Sequence, residues 1–115
     1  MAETNQNFEL HQGDTKDLEI TIENGEGGRL DLTGSRIEWR LYRSVTTAAL
    51  ITKTTDAGGI EIADAPGGIC LVHLESSETD DLPAGKYQHE AIVTDVRGYT
   101  ATVLTGFAQV YRVHG

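Results

Sequence analysis

From Leu18 to Glu23 apolar and polar residues alternate one for one, with Leu18, Ile20 and Ile22 on one parity and Glu19, Thr21 and Glu23 on the other. A period of two marks a strand with one buried face. The rhythm returns at Arg36–Tyr42, where Ile37, Trp39 and Leu41 share one face and Arg36, Glu38, Arg40 and Tyr42 the other. Trp39 is central there and is expected to anchor the core rather than bind a ligand at the surface. Phe8 and Leu10 open a first short strand that stops at Gly13-Asp14. Further strands are expected at Leu50–Thr54, Ile60–Ile62, Ile69–Glu75, Tyr87–Thr94 and Tyr99–Val113. The last is long enough that a break or bulge is expected at Gly106.

Turn chemistry punctuates these runs at Asn24–Gly28, Asp56–Gly59, Asp64–Gly68, Pro83-Ala84-Gly85 and Asp95–Gly98. Val45–Leu50 reads equally as a loop or one helical turn. Ser76–Leu82 is the best helix candidate, with a capping Ser and acidic residues in its first turn. The pattern predicts an all-β fold: a single antiparallel immunoglobulin-like β-sandwich of seven to eight strands, with at most one short helix near 76–82. One domain spans 1–115, its polar residues 1–5 loose. With one cysteine, the Cys…Trp…Cys pattern of true immunoglobulin domains is absent.

Composition narrows the function. At 115 residues the chain buries roughly 65% of its unfolded surface, enough to fold without staples. Cys70, mid-strand, is expected to fill core space; a nucleophilic thiol would need a basic neighbour, and His73 falls on the opposite face. A net charge of −9 argues against nucleic acid and anionic membrane surfaces as partners. No stretch reaches the ~20 apolar residues of a membrane span, and MAETNQNFEL is no secretory signal. The chain is therefore expected in a cytosol.

No constellation offers chemistry. His11, His73, His89 and His114 lack metal-ligand spacing, although His73 and His89 could approach if their strands paired. The acids at Asp80-Asp81 do not space like a calcium loop, and no G-x-S-x-G, P-loop or GxGxxG is present. No enzyme, no cofactor and no metal is expected.

The order of the pieces resembles a known module. Phe8-x-x-x-Gln12-Gly13-Asp14-Thr15 precedes Leu18-x-Ile20-x-Ile22, then Leu32-Thr33-Gly34 and Ile37-x-Trp39-x-Leu41. Gly59-Ile60-x-Ile62, Thr79-x-x-Leu82-Pro83-Ala84-Gly85-x-Tyr87, Asp95-x-x-Gly98 and Gly106-x-x-x-Val110 follow. This is similar to the small β-sandwich of tailed-phage and prophage structural proteins, such as the N-terminal domain of baseplate upper proteins. The resemblance implies a non-enzymatic virion protein of tail, baseplate or head, made in the bacterial host cytoplasm. Its partners would be other virion proteins and copies of itself. The chain ends at Gly115 without a shaft or receptor-binding domain, which favours a stand-alone assembly subunit over an adhesin. Phe8, Leu10, Tyr111 and Val113, on the terminal strands, are the expected protein contacts, with ordinary edge strands of a monomer as the alternative. A small ligand- or carbohydrate-binding module, with loops 25–28 and 45–49 as its site, is the competing function.

Overall fold

The computed structural model describes residues 4–5, 7–23, 28–43 and 49–112. Within them the elements run β1 (Thr4–Asn5), β2 (Phe8–His11), β3 (Lys16–Thr21), β4 (Arg36–Tyr42), β5 (Ile51–Thr54), β6 (Ile60–Asp64), β7 (Ile69–Leu74), α1 (Ser76–Asp80), β8 (Gly85–Thr94) and β9 (Thr100–Tyr111). One sheet has the order β1-β9-β8-β4-β5, with β2 also paired to β9; the other is β3-β7-β6. The chain is an all-β, sandwich-like fold.

Alternation builds the interior. The first sheet turns Ile37, Trp39 and Leu41 of β4 and Tyr87, His89, Ala91 and Val93 of β8 inward. The second answers with Leu18 and Ile20 of β3 and Cys70, Val72 and Leu74 of β7. Trp39 and Cys70 are thus core residues, and burial pushes the Cys70 thiol up to about 12. His73, of opposite parity, faces outward.

Several expectations change. The pairing is not wholly antiparallel: β1 and β2 run parallel to β9, with Phe8 through His11 opposite Ala108 through Tyr111. A hairpin turn forces antiparallel neighbours, but the whole chain separates β2 from β9, so no turn dictates their direction. Within the segment expected to be loose, Thr4 and Asn5 pair with Leu104 and Thr105. The bulge lies not at Gly106 but at Val103, because Ala91 pairs with Leu104 and Ile92 with Thr102. Val103 and Leu104 are both buried, and two consecutive inward residues are the mark of a parity switch. Gly106 stays in the ladder, opposite His89.

The helix stops at Asp80. Its cap is Glu75 rather than a Ser, and Glu78 Oε1 accepts the Glu75 N–H at 3.0 Å. Pro83 disfavours a helical conformation at Leu82, which closes the element early. The expected turn at 24–28 lies outside the described residues except for Gly28, as does 45–50 except for Ala49 and Leu50, which are not helical.

Candidate interaction surface

The β2–β9 pair gathers three of the four expected contact residues on one edge; Val113 lies outside the described residues. Leu10 is buried and Phe8 half-buried, both turned inward. Their side chains fasten β2 to its own domain. Tyr111 is 40% exposed and lies 5.4 Å, ring to ring, from His11. On the same outward parity of β9, Phe107 is 42% exposed, with the Lys86 ammonium 4.1 Å from its ring centroid. The Asn7 side chain accepts the Phe107 N–H at 2.8 Å, tying the residue before β2 to β9. Phe107 was missed from sequence. The readable signal is parity: Gly106, Ala108 and Val110 point in, leaving a large aromatic on the outward face.

A second apolar patch crowns the β8–β9 turn. Asp95 Oδ1 accepts the backbone N–H groups of Arg97 and Tyr99 at 2.9 and 3.0 Å. The Arg97 guanidinium lies 2.9 Å from Asp95 Oδ2 and 4.5 Å from the Tyr99 ring centroid. The Arg97 contact, ahead of the backbone bonds, holds the Asp95 carboxyl below its ordinary range. Val96 and Tyr99 stand 74% and 66% exposed. Gly34, at φ +72°, sits so close beneath that a Cβ there would collide with the Val96 side chain. Beside this contact lies a cleft of about 390 Å³ lined by Leu30, Asp31, Val93, Val96, Tyr99 and Ala101 among others. This patch too was missed, because a turn residue has no periodicity to betray its exposure.

Polar contacts cover the outer faces of both sheets. On the outer face of the first sheet Arg40 bridges Glu38 and reaches Glu90, while the Tyr42 hydroxyl donates to Glu90. Burial and then the Glu90 bond raise the Tyr42 pKa. On the outer face of the second, His73 Nδ1 lies 2.7 Å from Asp17 and Nε2 lies 3.8 Å from Glu61. His73 and His89 belong to different sheets and face opposite ways, so the two imidazoles do not meet. Among the described residues no three His, Cys, Asp or Glu side chains gather where a metal ion could be held, and no helix is long and apolar enough to cross a membrane. What the surface offers is aromatic and apolar contact area rimmed by charge, the composition of protein-binding patches.

No protein-family model matches the chain, and no curated protein matches it in sequence. Among solved structures it is similar to the N-terminal domain of phage TP901-1 ORF48, at 12% identity and a TM-score of 0.58, covering 96% of this chain and 98% of that one. It is also similar to CopC from Methylosinus trichosporium OB3b, at 17% identity and a TM-score of 0.50, covering 100% of this chain and 89% of that one. At these identities the likeness is one of fold.

Proposed function

We propose that the chain is a non-enzymatic structural or assembly protein of a tailed-phage or prophage virion, a tail, baseplate or head accessory subunit. It acts through contacts with other virion proteins and with copies of itself. The observation carrying this reading is that the fold of a phage protein's N-terminal domain is matched over 96% of the chain and 98% of that domain. The sequence order independently resembles such modules, and the exposed Phe107, Tyr111 and Tyr99 supply contact area. Mass spectrometry of purified particles, with light scattering of the isolated chain, tests it. The chain is expected in particles and in self-associated form; a strict monomer absent from particles overturns the reading.

The sandwich is further read as immunoglobulin-like. Supporting this, β9-β8-β4-β5 follow the order of strands G, F, C and C′ of variable-type domains, with β2 added beside β9, and β3-β7-β6 follow B, E and D. The Tyr87 hydroxyl near the start of β8 donates to the Pro83 carbonyl, the arrangement known as a tyrosine corner. His89, two residues on, stands where such domains place a disulfide cysteine, and the buried Trp39 packs on it.

The cleft by Tyr99 favours a second reading, a ligand-binding module. Arg97 covers one face of the Tyr99 ring, which leaves less stacking surface for a sugar. A glycan array without binding removes this reading.

A further inference from the structure

We infer that the outer edge of β2 is a homodimer contact, where β2 of a second copy adds antiparallel about a two-fold axis at Leu10. The Gln12 N–H donates to the Tyr111 carbonyl at 3.0 Å, which marks Phe8, Leu10 and Gln12 as the residues whose backbone groups face β9. In a ladder the residues between them, Glu9 and His11, send theirs the other way. Among the described residues β9 is the ladder partner of β2, and the Glu9 and His11 side chains are exposed. Backbone donors and acceptors turned out from a sheet edge are a template for another strand. The far edge of the same sheet is guarded by comparison, since the Gly59 N–H folds back onto the Thr54 carbonyl of β5 at 3.1 Å.

Side-chain chemistry selects the occupant and the register. With the axis at Leu10, Glu9 faces the partner's His11 and His11 faces the partner's Glu9, so both cross-strand pairs set a carboxylate against an imidazole. A carboxylate accepts and an imidazole carries at least one N–H, so the two complement each other. Moving the axis to Glu9 or to His11 sets like against like. Slipping the pairing by one residue opposes outward backbone groups to groups already bonded to β9. In the chosen register each His11 N–H meets the partner's Glu9 carbonyl, and each Glu9 N–H meets the partner's His11 carbonyl. The His11 carbonyl also accepts the Asp14 N–H at 3.2 Å, and a carbonyl has a lone pair for each donor. Leu10, buried in its own domain, meets its counterpart on the axis. The Tyr111 ring, 5.4 Å from that of His11, borders the seam. The contact uses one patch twice and therefore closes as a dimer, with no route to a filament.

The test is sedimentation of the full chain over about a hundredfold range of concentration, where a monomer–dimer equilibrium is expected. His11→Glu sets carboxylate against carboxylate in both pairs and should weaken the dimer about tenfold or more. Adding Glu9→His to it exchanges the members of each pair and should bring the dissociation constant back to within about threefold of the original. A monomer at every concentration, a self-association that His11→Glu leaves unchanged, or a double variant as weak as His11→Glu each overturns the proposal. Should His11→Glu not fold, amide exchange of the unmodified chain decides: the Glu9 and His11 amides must gain protection as concentration rises, and no gain, or an equal gain in Ile37–Leu41, overturns it. The inference rests on the self-association in the assembly reading, yet the two fail separately. Association through another surface sinks the β2 edge and leaves that reading, whereas a β2 dimer absent from virions leaves the edge and sinks the virion role.

Discussion

The two sheets bury different chemistry. The first turns polar side chains into the sandwich and pairs them there: the Trp39 indole N–H donates to His89 Nδ1, and the Tyr87 hydroxyl donates to the Pro83 carbonyl. The second turns in aliphatic side chains and the inert Cys70 thiol, and keeps its imidazole, His73, outside between two carboxylates. A satisfied buried polar group specifies one geometry, because every alternative packing leaves it unpaired. An aliphatic face tolerates small shifts. The first sheet therefore fixes the strand arrangement, and the second mainly contributes buried area.

The largest break in that contrast is Trp39→Ala. It removes the biggest core side chain and the donor to His89, and should cost about 3–5 kcal/mol, enough to unfold much of the population in a urea titration. Ile20→Val, the matching trim in the second sheet, should cost only about 0.5–1.5 kcal/mol. Tyr87→Phe, in the first sheet, is of similar size to Ile20→Val. It keeps the ring under Arg43 but drops the hydrogen bond to Pro83, for about 0.5–1.5 kcal/mol. Equal losses for Trp39→Ala and Ile20→Val would erase the distinction.

Much of this was legible in the sequence. Parity placed Trp39, Cys70 and the inner face of β4 correctly, and Asp95–Gly98 folds into its expected turn because the Asp95 side chain and Gly98 at φ +87° specify it locally. What stayed hidden was non-local. The direction of β2 against β9 is set across the whole chain, and the bulge at Val103 is visible only where two neighbours both turn inward. His73 and His89 are the same residue on similar strands; only the sheet-level arrangement makes one a surface ion-pair partner and the other a core acceptor. The candidate surface was half visible, since Tyr111 was singled out but Phe107, Val96 and Tyr99 were not.

The two sheets are also joined through α1, which follows β7 and reaches back to the first sheet. Lys53 of β5 donates to Glu78 at 2.7 Å, and Gln12 donates to the Leu82 carbonyl at 2.7 Å. Burial raises the Glu78 pKa, but the Lys53 and Glu75 N–H bonds outweigh it and the net shift is downward. A depressed carboxyl stabilises the fold above its unfolded value near ~4.3 and loses that contribution as pH falls further. Thermal melts should therefore drop between about pH 5 and about pH 3. Glu78→Gln should flatten that drop; an unaltered drop would show that α1 does not tie the sheets electrostatically.

The smallest effect belongs to the other side of the same helix. Asp80 and Asp81 are exposed, and Asp81 serves the C-cap through its backbone, whose N–H bonds the Thr79 carbonyl. Neither carboxylate has a cation within ion-pair distance among the described residues, and neither completes a group of three metal-ligating side chains there. Asp80→Ala and Asp81→Ala should each shift stability by less than about 0.5 kcal/mol. Melting should be the same with calcium as with a chelator. The inward side of α1 carries the buried Thr79, whose hydroxyl donates to the Asp14 carbonyl at 2.7 Å and lies 3.2 Å from the Ser76 carbonyl; Thr79→Val should cost more than both Asp substitutions together, because it removes hydrogen bonds that they do not touch.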